Sequence, residues 1–265
     1  MKKDYPEFIY KYRPIEKFDD LEKDYYLDAL LNQYAIFSSR RNFNDLFDSK
    51  IELIKPSVKE IKALSHLLPK SNRLQLLSHI DKGNFTPEGE IFFEQIVREI
   101  NKTIDSYAFI SLSSVPNSNL MWSHYANSHK GFCIEYKTEH VAARKMTYTH
   151  DIPSLKLIDV YKTYYGIHTD LNIGDVTLNA LHSKLVEWEY ESEYRFLANK
   201  HLGRITSGQN FIKVDYDANF IESVIFGCRM DTSIKKYIIE SMPTGTKFKQ
   251  SVVGRNSMRI VPYSG

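Results

Sequence analysis

The order of the periodic segments constrains this chain most. Two helical stretches, 56–80 and 87–104, come early, and short segments of strand-like composition dominate after residue 107. Helices and strands that segregate along a chain build an α+β fold, whereas strict alternation builds a parallel, doubly wound sheet. The expected architecture is therefore α+β. It is a single domain over residues 1–265, with a mixed or antiparallel sheet as its core and a helical insertion at about 56–104. Neither Gly-x-Gly-x-x-Gly nor a Walker-type phosphate loop occurs, which argues against a Rossmann or P-loop protein.

Local signals place the elements. Residues 8–13 (FIYKYR) alternate as a short strand that Pro14 ends. A helix is expected over 18–32 and a strand over 34–39. Ser57, with Glu60 three residues on, reads as a capping box for the 56–80 helix. Gly83 and Asn84 break that helix, and Thr86-Pro87-Glu88 starts the next. Later strands are expected at 107–113, 132–136, 145–149, 155–161, 193–199, 210–216, 220–227, 248–252 and 257–261. Shorter helices fit 120–128, 139–144, 176–185 and 233–241.

Hydrophobic residues make up 42% and charged residues 26%, a globular balance. The formal net charge of +2 is too small to predict nucleic-acid or membrane binding. No run approaches the roughly 20 apolar residues of a membrane span. The start, MKKDYPEF, has two lysines but no apolar stretch behind them, so it does not read as a signal peptide. A cytoplasmic location is expected. The two cysteines, Cys133 and Cys228, sit in apolar strand-like runs and read as buried free thiols.

Three segments could carry chemistry. Arg13 ends a strand before a proline, where a guanidinium can grip a phosphate or carboxylate, or sit in a surface ion pair. Ser111 and Ser113 face one side of a strand, and Trp122, His124 and Tyr125 follow on a short helix. His124 and His129 are five apart, which is not the spacing of a zinc helix. In LVEWEYESEYRF, Glu187, Glu189, Glu191 and Glu193 alternate with Trp188, Tyr190, Ser192 and Tyr194. Four carboxylates on one strand face would repel one another, so a loop entering a strand near Glu191 or Glu193 fits better than one continuous strand.

The layout YKYRP, FSSRRNFNDLFD, SLSSVPNSNLMWSHYANSHKGFCIEY, WEYESEYRF and ESVIFGCRM resembles the bacterial domain-of-unknown-function family 2971. The resemblance runs over nearly the whole chain, and MWSHYANSHKGFCIEY and WEYESEYR are its specific parts. Leu46 stands where that pattern has proline. The family implies no activity. A second resemblance concerns chemistry. Arg13, then Ser111 with Ser113, then Glu191 with Glu193 resemble in order the Arg–Ser–Glu pattern of ADP-ribosyltransferases, with Leu112 where threonine is commoner.

That second resemblance implies an ADP-ribosyltransferase-like fold and an enzyme that uses NAD as substrate and needs no metal. Glu193 would stabilise the positive charge that grows on the ribose as nicotinamide leaves. Glu191 would orient or deprotonate the acceptor. Arg13 would hold the pyrophosphate or ribose, and Ser111 and Ser113 would shape the nicotinamide pocket. Trp122, His124 and Tyr125 complete the expected binding residues. The acceptor would be a macromolecule, protein or nucleic acid, and the setting a toxin or antiviral defence effector with an antitoxin or regulatory partner. The residues themselves leave two alternatives open: a non-catalytic module that binds a nucleotide or a protein segment, and a hydrolase or nuclease that uses His124 with Glu191 or Glu193.

Overall fold

The structure is a computed structural model that describes residues 5–169, 171–198, 203–206 and 209–265. The first lysines and Asn199, at the end of the expected 193–199 strand, lie outside the described residues. The chain divides into two compact units. One comprises Met1–Asn42, Tyr107–Thr147 and Val186–Gly265; the other comprises Phe43–Ser106 and Tyr148–Leu185.

The first unit is built on one mixed sheet. Its strands are β1 (Phe8–Arg13), β2 (Tyr34–Ser38), β3 (Phe109–Ser113), β4 (Phe132–Lys137), β5 (Arg144–Lys145), β6 (Glu193–Leu197), β7 (Phe211–Asp215), β8 (Ile221–Phe226), β9 (Phe248–Val253) and β10 (Met258–Pro262). The order is β7-β2-β3-β1-β4-β8-β9-β10, with β6 paired to β3 and β5 to β6. The β8–β9 pair is parallel, while β1, β3, β4 and β6 pair antiparallel. This is the expected α+β class with a mixed sheet.

Both faces of the sheet are covered, and β1 buries side chains on both sides. Ile9 joins one buried cluster, and Tyr10 and Tyr12 join another. Helix α1 (Tyr25–Leu31) and helix α3 (Thr232–Ser241) bury Leu27, Leu30, Ile234 and Ile238 with Ile9. The short helix α2 (Asn119–Tyr125) buries Met121 and Trp122 with Tyr10 and Tyr12. Each such side chain contributes about 1.5–3 kcal/mol by leaving water. Helix α1 starts later than expected. Asp24 is fully buried, and its Oδ1 accepts from the Tyr26 and Leu27 backbone N–H groups, both at 3.0 Å. Its Oδ2 accepts from Glu16 N and Lys17 N, and the residues just before it make only a 3₁₀ turn, Leu21–Lys23.

The second unit holds the expected helical insertion. The 56–80 helix is split into Val58–Ser65 and Lys70–Leu77, because Pro69 cannot continue a helix and pushes the residue before it out of helical geometry. The Ser57–Glu60 capping box is present. Lys82 (φ 45°) and Gly83 (φ 86°) form the tight turn of a hairpin between Ile80–Asp81 and Asn84–Phe85. Residues 155–161, expected as a strand, give a short strand, Ser154–Lys156, and then a helix, Leu157–Tyr164. That helix buries Leu157, Ile158 and Tyr161 against Ile61, Leu64 and Phe93 of the same unit, so packing overrides the β-branched composition. The 176–185 helix runs instead over Ile173–Leu181. No described helix is long and apolar enough to cross a membrane.

Candidate functional site

Strand adjacency brings the three singled-out segments together. β1 meets β3 at Tyr10↔Ser113, and β3 meets β6 at Ser113↔Glu193 and Ser111↔Arg195. Residues directly opposite in a sheet point to the same side. Ser111, Ser113, Glu193 and Arg195 therefore share the face of Tyr10 and Tyr12, beneath α2.

Arg13 does not share it. It is three residues from Tyr10, so alternation turns it to the α1 face. There it pairs in register with Phe132, and its guanidinium lies 5.1 Å from the centre of the Tyr26 ring. The expected convergence of Arg13, Ser111 and Glu193 on one cleft is thus replaced by Ser111, Ser113 and Glu193 on one face and Arg13 on the other.

The cation beside Glu193 is Arg195. Arg195 Nη2 is 2.8 Å and Nε 3.1 Å from Glu193 Oε1, and both residues are at most 2% exposed. The Arg195 guanidinium also lies 4.3 Å from the centre of the Phe109 ring. Glu193 is thus a buried, charge-paired carboxylate rather than one open at a cleft.

Glu191 does not continue the strand. Residues Val186–Glu191 form a 3₁₀ turn, and Ser192 takes a positive φ of 47°. That left-handed step breaks the alternation that would have put Glu191 beside Glu193. The turn is pinned from β3: Ser113 Oγ donates to Glu191 O at 2.7 Å, and Ser114 N donates to Ser192 O at 3.0 Å. The Glu191 carboxylate is buried and accepts a short hydrogen bond from the Tyr125 hydroxyl. This bond and that between His124 Nδ1 and the Tyr190 hydroxyl join α2 to the turn.

The remaining expected residues separate by burial. Trp122 has no exposed surface, its Nε1 donates to Pro116 O at 2.8 Å, and it meets Tyr12 edge-on. It holds α2 on the sheet and offers no stacking surface to a ligand. His124 is exposed, with Nδ1 3.1 Å from the Tyr190 hydroxyl and its ring edge-on to Tyr190 and Tyr125. Trp188 lies tilted over Tyr190, with ring centres 6.1 Å apart. Glu187 and Glu189 are exposed beside these rings. Ser111 is half-buried, and its carbonyl accepts from Lys11 Nζ at 2.6 Å.

Two residues at the site went unrecognised in the sequence. Lys11 reaches across the gap where β1 and β3 pair at a single position. Burial pulls its ammonium pKa well down, nearby Arg13 adds to that, and Glu193 and Glu191 oppose it. Its signal was the spacing of Lys11 and Arg13, two same-face cations in YKYRP. His129 is buried with Nε2 3.1 Å from Ser123 Oγ, while its Nδ1 has no hydrogen-bond partner among the described residues. Burial, and secondarily Arg229, lower its pKa. Of the two cysteines, Cys133 is buried as expected, while Cys228 is half-buried.

Residues 121–196 match the model of a family described as Protein of unknown function (DUF2971). The match begins in α2 and ends in β6. It takes in Tyr125, the 186–191 turn and the Glu193–Arg195 pair, the parts in which the resemblance was most specific. It covers less than a third of the chain and leaves out β1, with Lys11 and Arg13. No curated protein and no solved structure matches the chain.

Proposed function

We propose that this chain is a regulatory binding module whose recognition surface is formed by α2 and the 186–191 turn, and that it takes a basic protein segment. The observation that carries this reading is the hydrogen bond from Tyr125 to Glu191, which locks a cluster of one exposed and three half-buried rings beside acidic side chains. His124, Tyr125, Trp188 and Tyr190 supply flat faces, and Glu187 and Glu189 supply exposed negative charge. Rings beside carboxylates suit a guanidinium, which stacks and donates in one plane. The same acids oppose the phosphates of a nucleotide, so a protein segment fits better than a nucleotide here.

The test is titration with a labelled Gly-Arg-Gly-Arg-Gly peptide and its citrulline counterpart. The arginine peptide should bind at least ten-fold tighter, and Tyr190→Ala should remove that binding. Equal affinity for the two peptides sinks the reading.

A second reading, an NAD-dependent ADP-ribosyltransferase acting on a macromolecular acceptor as a toxin or defence effector, draws support from one observation. The strands that carry its three motifs are neighbours, with Ser113 directly opposite Glu193. It requires Glu193 to exchange Arg195 for substrate and requires a cation other than Arg13 at that face. Nicotinamide release from NAD that is lost in Glu193→Gln supports it. No release by wild type across a panel of acceptors removes it.

A further inference from the structure

Strands β1 and β2 part from each other along β3. β1 pairs with β3 at its Ser113 end and β2 at its Phe109 end, and between them the Ser111 carbonyl is taken by the Lys11 side chain. On the Ile9 face, beside this fork, a cavity of about 230 Å³ opens. Phe37, Leu112 and Phe196 floor it, and Tyr136, Tyr216 and Phe220 wall it. Ring contacts hold the walls: Tyr136 is edge-on to Tyr216 at 5.6 Å, and Phe220 stacks with both Tyr216 and His140. An apolar cavity of about 150 Å³ takes up benzene, so this one has room for two fused rings.

Charge is turned away from this space. Asp215 is the one Asp, Glu, Lys or Arg among the described lining residues. It lies opposite Tyr34, so alternation sends its carboxylate to the face of the Tyr34 cluster, away from Phe37. His140 stacks flat on Phe220, with Nε2 3.3 Å from Glu139 Oε1. Arg13 is not among the lining residues, and its guanidinium lies against Tyr26. A charged guest would lose its hydration here and gain no counter-ion, which favours a neutral one. One polar handle remains. The Tyr136 and Tyr216 hydroxyls are joined by one hydrogen bond of 3.3 Å, and neither has another hydrogen-bond partner among the described residues. Two hydroxyls that share one bond keep one O–H proton to give, and both residues line the cavity. That proton suits a single carbonyl acceptor on the guest.

We propose that this cavity binds a small neutral molecule of two fused aromatic rings that bears one carbonyl group. The site is separate from the α2 surface, so its test is independent of the peptide experiment. The probes are 2-acetonaphthone, 2-ethylnaphthalene, which lacks the acceptor, and 2-naphthoate, which is charged. Each is titrated calorimetrically with the protein in the syringe. Wild type should bind the ketone about 5-fold tighter than the hydrocarbon, the worth of one neutral hydrogen bond. It should bind naphthoate about ten-fold more weakly than the ketone, because the carboxylate would be buried without a partner. The double variant Tyr136→Phe/Tyr216→Phe removes both hydroxyls and strands neither, so it should bring the ketone down to the level of the hydrocarbon. Ala35→Leu, which narrows the cavity, should weaken both neutral probes, with Val214→Phe in its place should it not fold. The proposal is overturned if neither neutral probe binds wild type, if the ketone has no advantage over the hydrocarbon, if naphthoate binds as tightly as the ketone, or if the ketone keeps its advantage in the double variant.

Discussion

Glu193 Oε1 and Arg195 Nη2 lie 2.8 Å apart on one face of β6, and neither side chain reaches solvent. Such a pair gains little over an apolar pair of the same volume, but losing one partner strands a buried charge. Arg195→Met should therefore cost about 3–5 kcal/mol in urea denaturation. The double variant Glu193→Leu/Arg195→Met should recover most of that loss. If the single and double variants are equally destabilised, the two charges are not coupled.

The Tyr125–Glu191 hydrogen bond joins α2 to the turn across a short distance. Tyr125→Phe keeps the ring and removes the donor, leaving a buried carboxylate short of one partner. The expected cost is about 1–3 kcal/mol. A double-mutant cycle with Glu191→Gln should show coupling between the two sites, read from thermal melts. Independent, additive effects would mean that the contact does not hold α2 in place.

Lys11 predicts a pH dependence. Its folded-state pKa is depressed, so between that value and the ordinary lysine value near 10.5 the unfolded chain binds more protons than the folded one. Stability must rise with pH through that window. The folding free energy of wild type relative to Lys11→Met should therefore move in favour of wild type as pH is raised from about 7.5 to about 10. Comparing the two proteins cancels the tyrosines, which titrate alike in both. A flat difference would place Lys11 in a more solvated setting.

Most strands of the first unit were legible because their alternation is strong, whereas 155–161 was misread as a strand. The pairing of Ser111 with Ser113 on one side follows from the period of a strand alone. The face that Arg13 takes was not legible, because both sides of FIYKYR contribute buried residues and alternation cannot say which side meets Ser113 and Glu193. The break before Glu193 was half legible. Repulsion among the acids pointed to a loop, but the left-handed step falls on Ser192, a residue type that does not announce it. Pro69 did announce the split of the 56–80 helix. The apolar periodicity on either side of it masked the signal.

Gly131 supplies the last prediction. It precedes β4 where that strand passes the end of β1, and its N–H donates to Ala126 O at 2.8 Å. A Cβ added there would sit 2.1 Å from the Arg13 carbonyl oxygen and 3.0 Å from Pro14 Cα. Both are backbone atoms, so no side chain can swing aside, and Pro14 stiffens the segment that would have to move. Gly131→Ala should therefore cost more than the about 1–3 kcal/mol of ordinary overpacking. Gly166, which has a positive φ of 72° but open space around it, is the control. Gly166→Ala should cost only the backbone strain of about 1–2 kcal/mol. A Gly131→Ala protein as stable as wild type would show that β1 and β4 do not approach as closely as 2.1 Å implies.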